Sequence, residues 1–223
     1  GNHLRFRLTP KAHIQSLKVN GAAAQWRRTG GVVEITLSPA GDAAATIDIH
    51  YNARFDDAAP HQPINTDNPG YGVQGTISHR GAVLLAGSGW YPQVLDMRRE
   101  IQLAVTAPKG MLAVTSGRLL GHTTEAAETV SRWRVTRPIG AVSLCAGPYQ
   151  LRQKQEGHHL VMTYFSAQRQ HLAASYLDAS LRYLAAYSER FGPYPFDHFA
   201  IVENFYPTGY GFPGFTLIGG RVL

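Results

Sequence analysis

The stretch "HHLVMTYFSAQRQHLAASYLDASLRYLAAYSERFGPYPF", from His158 to Phe196, changes its hydrophobic period part-way along. "HHLVMTYFS" alternates, as a strand with one face in a core does. From about Gln170 to Arg190 the apolar residues recur at helical spacing. Ala173, Tyr176, Ser180, Tyr183 and Tyr187 form one stripe, with Leu177, Leu181 and Leu184 beside it. The spacing predicts a helix whose broad apolar face, tyrosines included, packs on a sheet. Gly192 ends it, and Pro193 and Pro195 prevent its continuation.

Upstream there is only strand grammar. Val33, Ile35 and Leu37 alternate with polar residues, as do Ile47, Ile49 and Tyr51, then Ile101, Leu103 and Val105, and "VSRWRV" puts Trp133 and Val135 on one face. Asn20-Gly21, Gly30-Gly31, Pro39 to Gly41 and Lys109-Gly110 punctuate these runs at hairpin-like spacing. The expectation is a mainly β chain: an antiparallel β-sandwich over residues 1–152, then a small α+β segment over residues 153–223. One irregular stretch, Asp56 to Gly75, is too long for a plain hairpin loop and reads equally as functional or flexible. Beyond the helix, "FAIVEN" and "FTLIGG" are short strands joined by the glycine-rich "FYPTGYGFPG". One helix and these strands leave apolar faces in need of partners, so residues 153–223 read as the start of a second domain, inside which the chain stops.

Composition narrows the function classes. With 223 residues, 44% hydrophobic and 16% charged, the chain can bury a core without cross-links. Its net charge of +6 is spread over single arginines and pairs such as Arg27-Arg28, so no basic run follows a nucleic-acid backbone. Cys145, the only cysteine, lies in "AVSLCAGPY" and reads as a small buried hydrophobe. No apolar run has the roughly 20 residues that span a bilayer as a helix.

Three stretches, "WYPQVLDMRREIQLAVTAPKGMLAVTSG" from Trp90, "WRVTRPIGAVSLCAGPY" from Trp133 and "YLAAYSERFGPYPFDHFAIVENF" from Tyr183, together resemble the zinc aminopeptidases of the aminopeptidase N type, a gluzincin family. The resemblance covers most of the chain. It implies a saddle-like sandwich followed by the opening of a thermolysin-like catalytic domain, a peptide substrate, and zinc in the full-length protein. It favours a bacterial envelope or extracellular location. The family's metal motif, HExxH with a later Glu, places two His on one helix face with a Glu to activate water. This chain has no such pair. His158-His159 would point to opposite sides of a strand, so the expectation is no catalytic or metal residue in this chain.

The resemblance also picks out substrate-binding positions. Aminopeptidases of this type carry GxMEN on the strand that pairs with the peptide, where the Glu takes the free ammonium. The matching residues here are Gly209, Tyr210, Gly211, Phe212 and Pro213, so Phe212 replaces the carboxylate. A second amine-binding acid or amide is expected about a dozen residues before the Asp matched by Asp96, and "VLLAGSG" offers none. Glu203 reads either as a compensating carboxylate or as a solvated edge residue. The glycines either permit an irregular connection or leave bare backbone for a peptide to approach. The competing reading of the whole is a non-catalytic β-sandwich module whose helix and hairpin dock on a partner.

Overall fold

The computed structural model describes residues 2–37, 44–58, 73–94, 100–206, 209–220 and 222–223. Pro39 to Gly41, most of the Asp56 to Gly75 stretch and Asp96 lie outside the described residues.

Strands Trp26–Thr29, Val32–Leu37, Asn2–Arg7 and Gln93–Val94 form one antiparallel sheet, and Ala22–Ala23, His13–Val19 and Ile47–Asn52 form another. Their inward residues, Phe6, Leu17, Val33 and Ile35 among them, make a single buried cluster. Alternation produces this directly, because a period of two sends every second side chain to the same face. Asn20 and Gly21 turn between paired Val19 and Ala22 with φ of 52° and 81°, the positive values of a type I′ hairpin.

Two further sheets complete the sandwich region: Leu112–Thr115, Leu144–Gly147, Gly81–Leu84 and Gly75–Ser78 in one, Ile101–Pro108, Glu128–Val135 and Arg118–Glu125 in the other. Thr129, Ser131, Trp133 and Val135 all face inward. Lys109-Gly110 is not a hairpin turn. Ile101–Pro108 pairs with Glu128–Val135, whereas Leu112–Thr115 pairs with Leu144–Gly147, so the turn carries the chain from one sheet to the next. Turn chemistry fixes where a chain reverses, and sheet partners are settled by packing.

The last sheet has the order Tyr149–Glu156, His159–Ser166, Phe199–Asn204, Phe215–Gly219, Tyr210–Phe212. Its three middle strands are parallel and its outer two antiparallel. A crossover joins the first parallel pair, through a 3-10 turn, Ala167–Leu172, and the helix Ala173–Phe191. Tyr149–Glu156 runs unbroken past residue 152.

The two faces of this sheet have different partners. Val161, Phe165 and Ile201 take the helix through Ala173, Leu177, Leu181 and Leu184. Met162, Tyr164, Ala200, Val202 and Leu217 instead join Val83, Val114, Trp133 and Cys145 in one cluster. The sandwich and the helical segment therefore share a core. The tyrosine stripe departs from expectation: Tyr183 and Tyr187 are 63% and 58% exposed. The leucine row is what meets the sheet, and no residue after Leu184 is buried on the helix, whose last turns touch the sheet through Ser188 and His159 at 3.2 Å.

Candidate functional site: the edge strand of the five-stranded sheet

Tyr210–Phe212 is the edge strand, hydrogen-bonded to Phe215–Gly219 through the pairs Tyr210 with Leu217, Gly211 with Thr216 and Phe212 with Phe215. Pro213 and Gly214 form the reversal. Proline presets φ for the first corner of a type II turn and the second corner needs positive φ, which Gly214 supplies at 85°. The Thr216 hydroxyl donates to the Tyr210 carbonyl at 3.0 Å and fastens the strand.

Alternation splits the edge into two characters. Tyr210 and Phe212 pack toward the shared core, and their rings stack in a ladder with Phe215, at centroid distances of 6.0 and 4.6 Å along it. Phe212, at the position of the expected carboxylate, is thus a packing residue. Gly211 points the other way, and a Cβ there would meet nothing within 4 Å. A Cβ on Gly209 would come within 3.1 Å of the Leu217 carbonyl. Of the three glycines, Gly214 is required by conformation, Gly209 by close approach and Gly211 by neither.

Glu203 lies elsewhere. Its strand is paired on both sides, so it is not an edge residue, and it lies opposite Ile218 on the helix side, away from Tyr210 and Phe212. Its carboxylate meets Arg169 Nε at 3.0 Å and accepts the Ser166 N–H at 2.7 Å. Arg169 also donates to the Gly220 carbonyl at 2.5 Å. This clamp ties the C-terminal ends of all three parallel strands to the start of the crossover. Sequence reading missed Arg169 because nothing in "SAQRQ" signals an ion pair with a distant strand.

The sandwich reaches the same region through the turn after Gly75–Ser78. Arg80 donates to the Phe205 carbonyl at 3.2 Å and its guanidinium lies 5.4 Å from the centre of the Phe205 ring. Asp57 accepts the Gln74 and Gly75 amides, both at 2.9 Å, which closes the base of the long irregular stretch. Burial works against its charge, yet those amides and Lys11 hold its pKa below the ordinary value. "VLLAGSG" has no acid or amide of its own, but Gln93 Nε2 donates to the Ala86 carbonyl at 2.7 Å. That amide comes from outside the segment in sequence.

His198 is buried at the junction and His122 half-buried beside it. His198 is 3% exposed, stands 5.7 Å from Trp133 between ring centres, and its Nε2 has no hydrogen-bond partner among the described residues. Burial pushes its pKa down to about 4, against a smaller upward pull from Asp197. His122 lies between Ser131 Oγ at 2.9 Å and Tyr164 OH at 3.3 Å, and burial lowers its pKa too. Cys145 is buried as expected, and burial pushes its thiol well above the ordinary range.

No three His, Cys, Asp or Glu side chains among the described residues are grouped to hold a metal. Among those residues, no helix is long and apolar enough to cross a membrane.

No sequence-family model matches the chain, and no curated protein sequence matches it. Solved structures do. An M1 zinc metallopeptidase from Deinococcus radiodurans superposes over 97% of this chain with a TM-score of 0.69 and 20% identity, and a mutant of it over 98% with 0.72 and 19%. A two-domain M1 zinc metallopeptidase mutant bound to L-arginine gives 0.73 over 98% at 18% identity. The chain has the fold of the N-terminal domain of M1 peptidases. It spans 52% of the length of each of these structures.

Proposed function

We propose that this chain is the N-terminal part of a zinc metallopeptidase. Residues 1–152 serve as scaffold and as one wall of the active-site cleft, and residues 153–223 open the catalytic domain. The observation that carries this is a fold shared over 98% of the chain with M1 zinc metallopeptidases, in which Tyr210–Phe212 is the last strand of the five-stranded sheet among the described residues. A mutant of the Deinococcus radiodurans enzyme is solved with a Tyr-Ser-Ala substrate, which fits a peptide as the ligand class.

An extended peptide adds to a sheet edge through backbone hydrogen bonds, and such pairing tolerates many side chains. Gly211 leaves room for a second backbone, Gly209 and Pro213 bound that stretch, and Tyr210 and Phe212 hold it on the core. Glu203 and Arg169 act as positioning residues, because their clamp fixes the strand on which the edge rests. In the full-length protein a bound zinc would supply activation of water for peptide hydrolysis. Among the described residues no three His, Cys, Asp or Glu side chains are grouped as a donor set for it.

Phe212 shapes specificity. An ammonium buried without a countercharge costs on the order of 2–5 kcal/mol, so substrates recognised by a free N terminus are disfavoured. The coding sequence beyond Leu223, read for HExxH and a later Glu, tests the proposal first; a stop codon there refutes it. Zinc content and peptide hydrolysis by the longer protein come next. Weak cleavage of an alanyl anilide is the expected result, and rapid cleavage would overturn the role given to Phe212.

A further inference from the structure

A cleft of about 460 Å³ opens where two sheets present their edges to each other. One wall is Arg118–Glu125, at the edge of the three-stranded sheet, and the other is Tyr149–Glu156, at the edge of the five-stranded sheet away from Tyr210–Phe212. Asp197 and His198 close one side. The volume suits a small ligand.

Three features of the cleft are not explained by folding. The pairing of Arg118–Glu125 slips between Leu119 and Gly121, so Leu120 is the extra residue of a bulge and remains 55% exposed at the mouth. Bulges of this kind re-aim a side chain. Next to it, Gly121 holds φ at 149°, which the bulge requires, and nothing lies within 4 Å of its Cβ position. On the rim, Arg118 and Asp197 are both exposed and neither forms an ion pair among the described residues. Below them are the apolar Leu160 and Met162, and His198, whose Nε2 is buried without a partner among the described residues. Buried polar atoms are normally hydrogen-bonded, and an exception calls for a partner such as a water, an ion or a ligand, or for another role.

We propose that this cleft binds a small zwitterion of the free amino-acid or dipeptide class with an apolar side chain. Its carboxylate meets Arg118, its ammonium meets Asp197, and its side chain lies against Leu119, Leu120 and Leu160. Two unpaired charges of opposite sign over an apolar floor match that ligand and no singly charged one. The assignment is independent of the peptidase reading, since the cleft lies at the opposite edge of the sheet from Tyr210–Phe212.

Calorimetric titration of the chain with leucine, leucinamide and N-acetylleucine tests it. Leucine is expected to bind at about millimolar concentration or below, with leucinamide and N-acetylleucine each weaker by roughly tenfold, since each lacks one charged contact. Arg118→Gln should erase the preference for leucine over leucinamide, and Asp197→Asn the preference over N-acetylleucine. Both residues are exposed, so both variants should keep the parent's circular dichroism and urea midpoint. The absence of leucine binding, or binding that neither substitution alters, overturns the proposal. Binding abolished by Gly211→Val but untouched by Arg118→Gln also overturns it, and moves the ligand to the other edge. A peptidase reading that fails on the longer protein leaves these outcomes unchanged.

Discussion

Around Trp133 the large side chains are held by hydrogen bonds as well as by packing. The indole donates to the Ala113 carbonyl at 2.9 Å, His122 links Ser131 to Tyr164, and Tyr149 OH reaches the Glu203 carbonyl at 2.8 Å. Along Tyr210–Phe212 the aromatic rings also stack, yet they are only half-buried, and Gly211 between them is exposed. Both regions rest on the same hydrophobic cluster. The difference teaches a division of labour: the junction fixes the sandwich against the five-stranded sheet, and the edge can therefore stay open without carrying the stability of the fold. Substitutions at the junction should act on folding, and substitutions at the edge on recognition.

The largest effect is expected from Trp133→Ala. Removing a fully buried tryptophan costs about 3–5 kcal/mol, and here it also orphans the Ala113 carbonyl. Urea unfolding measures it, and a loss below about 1 kcal/mol would mean that the junction does not hold the sheets together.

Acid should act on the junction next. The native His198 titrates at about 4 against an ordinary 6.5, so the unfolded chain binds more protons between those values. A depressed histidine pKa gives stability that is fully present above pH 6.5 and is lost as pH falls toward 4. The span corresponds to a loss on the order of 3 kcal/mol. His122, also depressed, adds to the same slope. The urea midpoint of the parent should fall between neutral pH and the acid end of this window. His198→Phe should flatten that fall, and an equal fall in both proteins would locate the acid sensitivity elsewhere.

Glu203→Ala tests the clamp between the two regions. The carboxylate and its partner are 17% and 30% exposed, so solvent screens part of the interaction, and a loss of about 1–3 kcal/mol is expected. Glu203→Gln should cost less, because the amide oxygen still accepts the Ser166 N–H. Equal losses in the two variants would show that the charge pair with Arg169 carries the clamp and that the Ser166 hydrogen bond adds nothing.

Much of this architecture was legible in the sequence. The inward rows containing Val33 and Ile35, and Trp133 and Val135, follow from alternation alone, and the helix follows from its period. The edge position of Gly211 and Phe212 followed from the family resemblance. What stayed hidden depended on contacts between distant elements. Lys109-Gly110 looks like a hairpin locally, but the partners of the flanking strands lie elsewhere in the chain. Tyr187 shares the apolar arc of the helix, yet is exposed because the buried row stops at Leu184. Glu203 offers two readings in sequence, and only Arg169, brought from before the helix, decides where its carboxylate points.

The smallest effect on folding, and the sharpest contrast, comes from two glycines of the edge hairpin. Gly214 holds φ at 85°, where a side chain is strained, so Gly214→Ala should destabilise by about 1 kcal/mol or more. Gly211 lies outside the positive-φ region and has open space at its Cβ position, so Gly211→Ala should leave stability unchanged or raise it by about 0.5 kcal/mol, as expected when a strand loses a glycine. In the longer protein the same position should behave differently. Gly211→Val places a branched side chain where the second backbone would pass, and should raise KM for a peptide substrate with little change in the urea midpoint. A variant that folds like the parent and cleaves peptides with an unchanged KM would show that the exposed glycine is incidental and that the open edge does not receive the peptide.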